Sequence, residues 1–480
     1  MSKQFILLAI LTTYGILASF IFMPFVGLAL YIEFAVLRPQ YIWKYQMFGS
    51  PNVPWSFYLA LATIGATVLD TLMFGRRTTY KPGDFAPAPT KITWGHACFY
   101  LFALWILLAN WTAVDPNLST AQDVVKEAGA TARDSANDEY FKVYIMCTVM
   151  WWVMRSAKQA WLIVLIFANG IGYIAFDVNM RYLFDGKLQI QSDGYGGLDN
   201  NGAAILLAIG IPPCIFAWEK YRGIYRWGFL AFVPVILHAV MLTFSRGALL
   251  TIIVSSPFLI LRGPQRRMKI ILALCAMPGV LYMAGAEVQN RFASTGDYNA
   301  DASAQSRFDS WKAALKMAAD QPLFGWGTRN SPLFIKEYGG DIEGRAVHNQ
   351  YLQVAADNGF IGAGFYIGAI FFALLGYQRV IRRTRHDPHP EAQRLLMTAY
   401  AMQTSLIMFC FGALFLSLES FEPQYYMILL GIQLPTMLTM NYQLPTTTSA
   451  QPAERKPYRV VPPGGLGGGF APSTLHSRPS

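Results

Sequence analysis

Long apolar stretches alternate with short polar segments along most of the chain. Each apolar stretch is close to or above the length that a helix needs to cross about 30 Å of hydrocarbon. The pattern predicts an all-α integral membrane protein with about twelve transmembrane helices. The predicted spans lie near residues 5–37, 57–74, 97–111, 140–154, 159–176, 200–218, 227–243, 247–261, 269–286, 358–377, 395–417 and 422–440.

The composition agrees with a membrane protein. Hydrophobic residues make up 54% of the chain and charged residues 14%, with a mean hydropathy of +0.32, which is outside the balance of a soluble domain. The cysteines form no Cys-x-x-Cys pair, so neither a zinc site nor a disulfide framework is indicated. All five fall inside apolar stretches: Cys98, Cys147, Cys214, Cys275 and Cys410.

Basic residues predict the orientation, because lysine and arginine favour short cytoplasmic loops. The predicted cytoplasmic loops are 76–81, 155–158, 219–226, 262–269 and 378–386. Both termini then share the cytoplasmic side, and the net charge of +10 reflects topology rather than nucleic-acid binding. The first segment is broken at Met23-Pro24; if it crosses twice, the amino terminus lies outside.

One connection dominates the predicted outer face. Residues 287–357, between spans nine and ten, are far longer than a usual connection, and such loops tend to be functional or disordered. Within this loop, residues 306–319 have apolar side chains at helical spacing, which predicts a helix lying on the membrane interface. These side chains are Phe308, Trp311, Leu315 and Ala318 or Ala319. Residues 322–332 form a Gly and Pro turn cluster. We therefore expect a polytopic domain over residues 1–440 and a disordered cytoplasmic tail over 441–480.

Two side chains on the outer side suggest chemistry. Arg246, in the sequence TFSRGALL, lies between two apolar runs, where a charge is costly unless an anion or carbonyl groups accompany it. A planar guanidinium binds phosphate oxygens in bidentate fashion, although snorkelling toward lipid headgroups is an alternative. His348 has a side chain that is neutral near pH 7 and accepts a proton from a hydroxyl, although a structural role is the simpler interpretation of a lone histidine.

Local sequence also predicts how His348 is held. Val347, Tyr351 and Val354 share one face of a short helix that would carry the histidine. Asn358-Gly359 is expected to break this helix before the tenth span resumes. Small residues on that span allow close packing against a neighbour: Gly362, Gly364 and Gly368.

Four segments together resemble the O-antigen ligase and O-antigen polymerase superfamily. The first is His348-Asn349, followed after nine residues by Gly359 and then Gly362. The Ser-Arg-Gly element that begins at Ser245 is similar to another family motif. The remaining two segments are the tryptophan-to-glycine run at 306–330 and the Gly-rich, Asn-containing entry to a span at 194–204. The resemblance covers roughly residues 190–375 and looks closest to the putative O-glycosylation ligases found near exosortase systems.

The resemblance implies a metal-independent, inverting glycan transfer at the periplasmic face of a bacterial inner membrane. The donor would be an undecaprenyl-diphosphate-linked saccharide, and the acceptor a lipid, a glycan or a protein hydroxyl. By position, His348 is the implied base and Arg246 a diphosphate-binding residue, with further anion contacts from Arg307, Arg329 and Arg181. No cofactor is implied. The sequence has no His-Glu-x-x-His metal motif. It also has no Asp-x-Asp on a predicted outer loop, and Trp151-Trp152 is followed by Val153; these last two absences argue against metal-dependent oligosaccharyltransferases.

Three classes of function remain open at this point. A ligase and a polymerase of the superfamily differ only in the acceptor. A transporter of lipid-linked glycans also suits many spans and outer arginines, but no repeat between the halves is visible. A non-catalytic scaffold for polymer assembly is the third. A transfer assay separates the enzyme from the other two.

Overall fold

A computed structural model describes residues 2–43, 47, 53–74, 92–113, 136–186, 189–283, 302–340, 347–418 and 421–438. These ranges are built from helices and contain no β-strand, only an isolated bridge between Tyr195 and Leu198. The helices of the first half are α1 (Lys3–Ile21), α2 (Pro24–Leu37), α3 (Pro39–Ile42), α4 (Trp55–Phe74), α5 (Trp94–Trp111), α6 (Ala136–Val153), α7 (Ala157–Asp185), α8 (Gln189–Asp193) and α9 (Asn200–Ala208).

The second half adds α10 (Ile211–Lys220), α11 (Tyr225–Leu242), α12 (Arg246–Ile260), α13 (Arg266–Met283), α14 (Ala302–Asp320), α15 (Ser331–Phe334), α16 (Gln350–Thr384), α17 (Pro390–Gly412) and α18 (Glu422–Gln433), with 3₁₀ turns at Ile335–Tyr338 and Leu434–Met437.

The all-α membrane architecture is confirmed. Among the described residues, eight helical segments are long and apolar enough to cross a membrane: α1, α4, α5, α7, the pair α9 and α10, α11, α16 and α17. The chain is therefore a multi-pass membrane protein. The predicted count of twelve spans is not confirmed, although each predicted span overlaps a helix. The predicted tail at 441–480 lies outside the described residues.

The first predicted span is corrected by the structure. The chain turns back at Met23-Pro24, and α1 and α2 run antiparallel, since Gly15 packs against Leu30 while Gly27 packs against Ser19. The first residue of α2 is proline, which has no backbone N–H and therefore needs no acceptor at the start of the helix. With 14 residues, α2 is about 21 Å long and falls short of the hydrocarbon thickness.

The centre of the bundle is formed by α9, α10 and α17. Almost every residue of the segment Asn200–Lys220 is buried, and most of α17 is as well. The break between α9 and α10 falls at Gly210, where a side chain would collide with Ile171 of α7, ahead of Pro212 and Pro213. The break thus lets a central helix bend without leaving lipid-exposed backbone.

Described basic loops lie together at one end of this bundle, whereas the predicted loop at 76–81 lies outside the described residues. A buried ion pair joins Glu219, near the end of α10, to Lys269 of α13 at 3.0 Å. The Gln265 amide also donates to Glu219, at 3.3 Å, and Arg262 reaches Thr404 of α17 at 3.0 Å. We call the end of the bundle that carries these loops the basic end. Because α12 and α16 both run toward it, they begin at the opposite end, where the candidate residues lie.

The described part of the large loop is a folded unit, and of the apolar residues predicted to share one face of α14, Ala318 is buried within the protein. Phe308 and Leu315 are 43% and 48% exposed. The buried side of α14 is made instead of small residues and a methionine, because these let the helix approach its neighbours closely. The cluster around it consists of Ala313, Ala314, Met317, Trp326, Ile335, Val347 and Ala356.

The loop is closed further by polar contacts. The Trp326 indole donates to the Met317 carbonyl at 3.1 Å. The Tyr338 hydroxyl donates to Asp320 at 2.5 Å, and this bond raises the pKa of Tyr338 to about 12. α14 is thereby held against the turn cluster and the start of α16.

Candidate functional site

Three helices begin close together at the end of the bundle opposite the basic end. Each is capped by a polar side chain that accepts from its first turn. Asp199 accepts from the Gly202 amide at 2.7 Å before α9, and Ser245 from the Ala248 amide at 3.3 Å before α12. Asn349 accepts from the Tyr351 and Leu352 amides, both at 3.1 Å, before α16. Their partial positive charges therefore add at this end.

One connection touches all three helix starts. We call residues 413–418, which follow α17, the bridging segment. The Gln350 amide donates to the Ala413 carbonyl at 2.8 Å. A Cβ added to Gly247 would lie 3.4 Å from Phe415, and one added to Gly202 would lie 3.3 Å from Leu418. The starts of α9, α12 and α16 thus surround one stretch of backbone.

His348 lies two residues before α16 and not on it, which corrects the predicted short helix. Its φ is 54°, a left-handed conformation that is uncommon for residues with a side chain. The neighbours Val347 and Asn349 are buried, whereas His348 is half-buried. The histidine is therefore presented on a sharp turn between two anchored residues.

Arg246 is the first residue of α12 and is also half-buried. The preceding Phe244 has a φ of 56°, and the Thr243 carbonyl accepts from Asn200 at 3.0 Å. A guanidinium at a helix N-terminus adds its charge to that of the helix rather than offsetting it. Gly247, which follows Arg246, and Gln350, two residues after His348, both contact the bridging segment.

The other predicted arginines are placed differently. Arg181 pairs with Asp177 at 2.9 Å and donates to the Ile42 carbonyl at 2.8 Å, which holds α7 against the end of α3. Arg329 forms an ion pair with Glu139 of α6, and its amide donates to Asp357 at 3.1 Å. Arg307 is half-buried on the first half of α14.

Gly359 breaks α16, as the sequence predicts. Its φ of 68° and ψ of 176° belong to a region that only glycine enters readily. The break frees the carbonyls of residues 356–358, which then accept hydrogen bonds from the turn cluster of the large loop and from α5. The donors to these three carbonyls are the amides of Trp326 at 2.9 Å and Gly327 at 2.8 Å, and the indole of Trp105 at 3.0 Å.

The spaced glycines of α16 do not all have the predicted packing role. A side chain at Gly362 would meet Trp105 at 2.8 Å, and one at Gly368 would meet Cys98 at 3.1 Å. Both glycines allow α5 to approach α16. Nothing lies within 4 Å of a Cβ added to Gly364, so the predicted close contact at that residue is wrong.

Several residues of the site do not stand out in the sequence. Asp357 is fully buried and accepts from the Arg329 and Ser331 amides at 3.1 and 2.8 Å. Glu139 pairs with Arg329, and Gln350 contacts the bridging segment through side chain and backbone. Only Gln350 among these could have been noticed in the sequence, since it follows the candidate base His348 by two residues. Asp357 and Glu139 could not, because their hydrogen-bonding partners are distant in sequence.

Loss of the Asn349 cap should weaken the site and the fold together. We expect Asn349→Ala to lower the free energy of unfolding by about 1 kcal/mol, since two amides of α16 lose their acceptor. Chemical denaturation in detergent micelles measures this effect. Asn349→Asp keeps an acceptor and should stay near the wild-type value; equal losses in the two variants would contradict a capping role.

Comparison with known protein families matches one part of the chain. Residues 231–367 match a family model described as O-antigen ligase. The matched range begins in α11 and includes Arg246, the described loop, His348 and the break at Gly359. No curated protein matches the chain. This match over part of the chain supports membership in the O-antigen ligase superfamily.

Proposed function

We propose that this protein transfers a glycan from an undecaprenyl-diphosphate-linked donor to an acceptor hydroxyl, at the periplasmic face of a bacterial inner membrane. Membership in the O-antigen ligase superfamily supports glycan transfer of the ligase or polymerase type. The observation that supports the proposal is that the helix starts next to Arg246 and His348 contact the same bridging segment, through Gly247 and Gln350.

The electrostatics of this end suit a diphosphate. Amides at helix N-termini and the aligned peptide dipoles favour an anion, and the Arg246 guanidinium matches the geometry of two phosphate oxygens. Arg307 on α14 is proposed as a further contact from the large loop. Arg181 and Arg329 each form an ion pair with a carboxylate. We therefore propose that they contribute less than Arg246 to binding of the diphosphate.

The proposed reaction is a single displacement. The neutral His348 imidazole takes the proton of the acceptor hydroxyl while the oxygen attacks the anomeric carbon of the donor sugar. The bond from that carbon to the phosphate oxygen breaks, and its electron pair leaves with the lipid diphosphate. Attack opposite the leaving group inverts the anomeric configuration. Fixed positive charge at Arg246 and the helix starts stabilises the departing diphosphate.

The local structure gives this chemistry a rigid base. Val347 is buried in the loop cluster, and the Asn349 side chain and Gln350 amide are both hydrogen-bonded. His348 is therefore fixed from both sides, and a base held in position needs less reorganisation to reach the transition state.

The test is a transfer assay with the purified protein in lipid nanodiscs, an undecaprenyl-diphosphate-linked glycan and candidate acceptor glycans. We expect product with the wild type and a loss of about 10²- to 10³-fold in kcat/KM for Arg246→Ala, because one charged contact to the leaving group is gone. Arg246→Lys should recover part of the rate, since it keeps the charge without the bidentate geometry.

A matched control is Arg383→Ala, which removes an exposed arginine at the basic end and should retain wild-type activity. Unchanged donor turnover in Arg246→Ala would remove Arg246 from the diphosphate site. Absence of any transfer by the wild type, with every donor and acceptor tested, would favour the transporter or scaffold.

A further inference from the structure

Gln350, the first residue of α16, lies between the helix and the bridging segment. It has no exposed surface. Its backbone amide donates to Ala413 at 2.8 Å, and its side-chain oxygen accepts from the Leu418 amide. The carboxamide is therefore confined to the interface where the starts of α12 and α16 meet residues 413–418.

A second glutamine fixes the same residue from the other side. Gln424 of α18 donates to the Leu418 carbonyl at 2.8 Å, and its oxygen accepts from the Tyr366 hydroxyl at 2.7 Å. Both hydrogen-bonding ends of the Gln424 side chain are thus used within the fold. Gln424 therefore has a structural role, which is to fix the position of Leu418.

Gln350 differs from Gln424 in one respect. Its side-chain nitrogen is buried and has no hydrogen-bond partner among the described residues. The hydroxyl of Ser417, next to Leu418, is likewise buried without a partner in the described ranges. A buried amide donor that stays unsatisfied costs free energy, so two such groups at neighbouring positions indicate a place where a ligand supplies acceptors.

We propose that the Gln350 side chain donates a hydrogen bond to an oxygen of the donor saccharide and thereby positions its first sugar beside His348. This inference rests on the proposed function. The chemistry favours the sugar over the diphosphate, since a neutral amide suits a hydroxyl or carbonyl oxygen whereas Arg246 supplies the charge that phosphate needs. Because Gln350 follows His348 by two residues, its contact falls close to the reacting carbon.

The experiment compares two probes, undecaprenyl-diphosphate-linked N-acetylglucosamine and undecaprenyl diphosphate without a sugar. Their Kd values are measured on the full-length protein in nanodiscs. Gln350→Met keeps the side-chain volume and removes the donor. We expect it to weaken binding of the sugar-bearing probe about fivefold to tenfold, the usual effect of one neutral hydrogen bond, with little change for the sugar-free probe.

Gln424→Met is the matched control. It removes the other side-chain hydrogen bond to Leu418, but the donor that it removes already has a partner within the protein. It should leave the ratio of the two Kd values at the wild-type value. If Gln350→Met does not fold, Gln350→Leu is a second variant of similar volume that removes the donor and adds no charge. The ratio of the two Kd values again reports the lost donor.

The outcomes separate the two proposals. A ratio unchanged in the Gln350 variants, or equal affinities of the wild type for both probes, would overturn the role of Gln350 and leave the diphosphate site intact. Failure of the wild type to bind the sugar-free probe would instead count against the proposed function, and the inference would fall with it.

Discussion

His348→Ala is expected to reduce kcat by about 10²- to 10⁴-fold, the usual contribution of a positioned base, with the protein still folded. The ring lies outside α16 on a turn whose neighbours are anchored by their own contacts. Removing the imidazole therefore takes away the proton acceptor and little of the packing. Single-turnover transfer assays measure the chemical step, and circular dichroism with thermal unfolding measures the fold.

His386→Ala is the matched control for this prediction, since His386 is exposed at the basic end. It should retain the wild-type rate. His348→Gln adds a second test, because it keeps a polar side chain of similar reach without a basic ring nitrogen, and it should be as inactive as His348→Ala. Transfer by either His348 variant at close to the wild-type rate would place the base elsewhere.

The second large effect is expected at Gly359. Gly359→Ala should destabilise the protein by about 3 kcal/mol or more, since a non-glycine residue in this backbone region costs about 1–3 kcal/mol and the new methyl group would overlap the Leu323 carbonyl. The amide of residue 360 donates to the Pro322 carbonyl at 2.9 Å, so that contact with the loop should be lost as well. Denaturant unfolding measures the loss.

Local exposure of the loop provides an independent measurement. Amide hydrogen exchange at Trp326 and Gly327, whose N–H groups bond to the carbonyls freed by the break, should accelerate in Gly359→Ala. Gly364→Ala is the control on the same helix, because it has helical geometry and no atom within 4 Å of the added carbon. Equal stability of the two variants would show that the break at Gly359 does not hold the loop.

The break in α16 and the position of the spans could be predicted because their causes are local. A stretch of apolar residues long enough for the bilayer must form a helix, since the backbone has to satisfy its own hydrogen bonds there. Asn358-Gly359 interrupts such a stretch without reference to any distant residue. The turn at Met23-Pro24 could be located for the same reason, although its sharpness depends on the packing of Gly27 against Ser19 and Thr63.

The residues of α14 that pack inside the protein could not be identified from the local sequence. Periodicity favours the large apolar residues Phe308 and Leu315, but the helix buries Ala313, Ala314 and Met317. The choice depends on the surface that the helix meets, and the turn around Trp326 and the start of α16 leave room for small side chains. The ion pair of Arg329 with Glu139 fails prediction in the same way, because its partners are far apart in the chain.

By itself, the sequence determined the membrane class, the basic end and the set of candidate residues, since hydropathy, charge bias and short motifs act over one helix length or less. Only the tertiary structure decided that the starts of α9, α12 and α16 surround one bridging segment. It also decided that the Gln350 side-chain nitrogen lies there without a hydrogen-bond partner among the described residues. Convergence of this kind depends on contacts between segments that lie far apart in the chain, and their pairing is determined by the packing of the whole bundle.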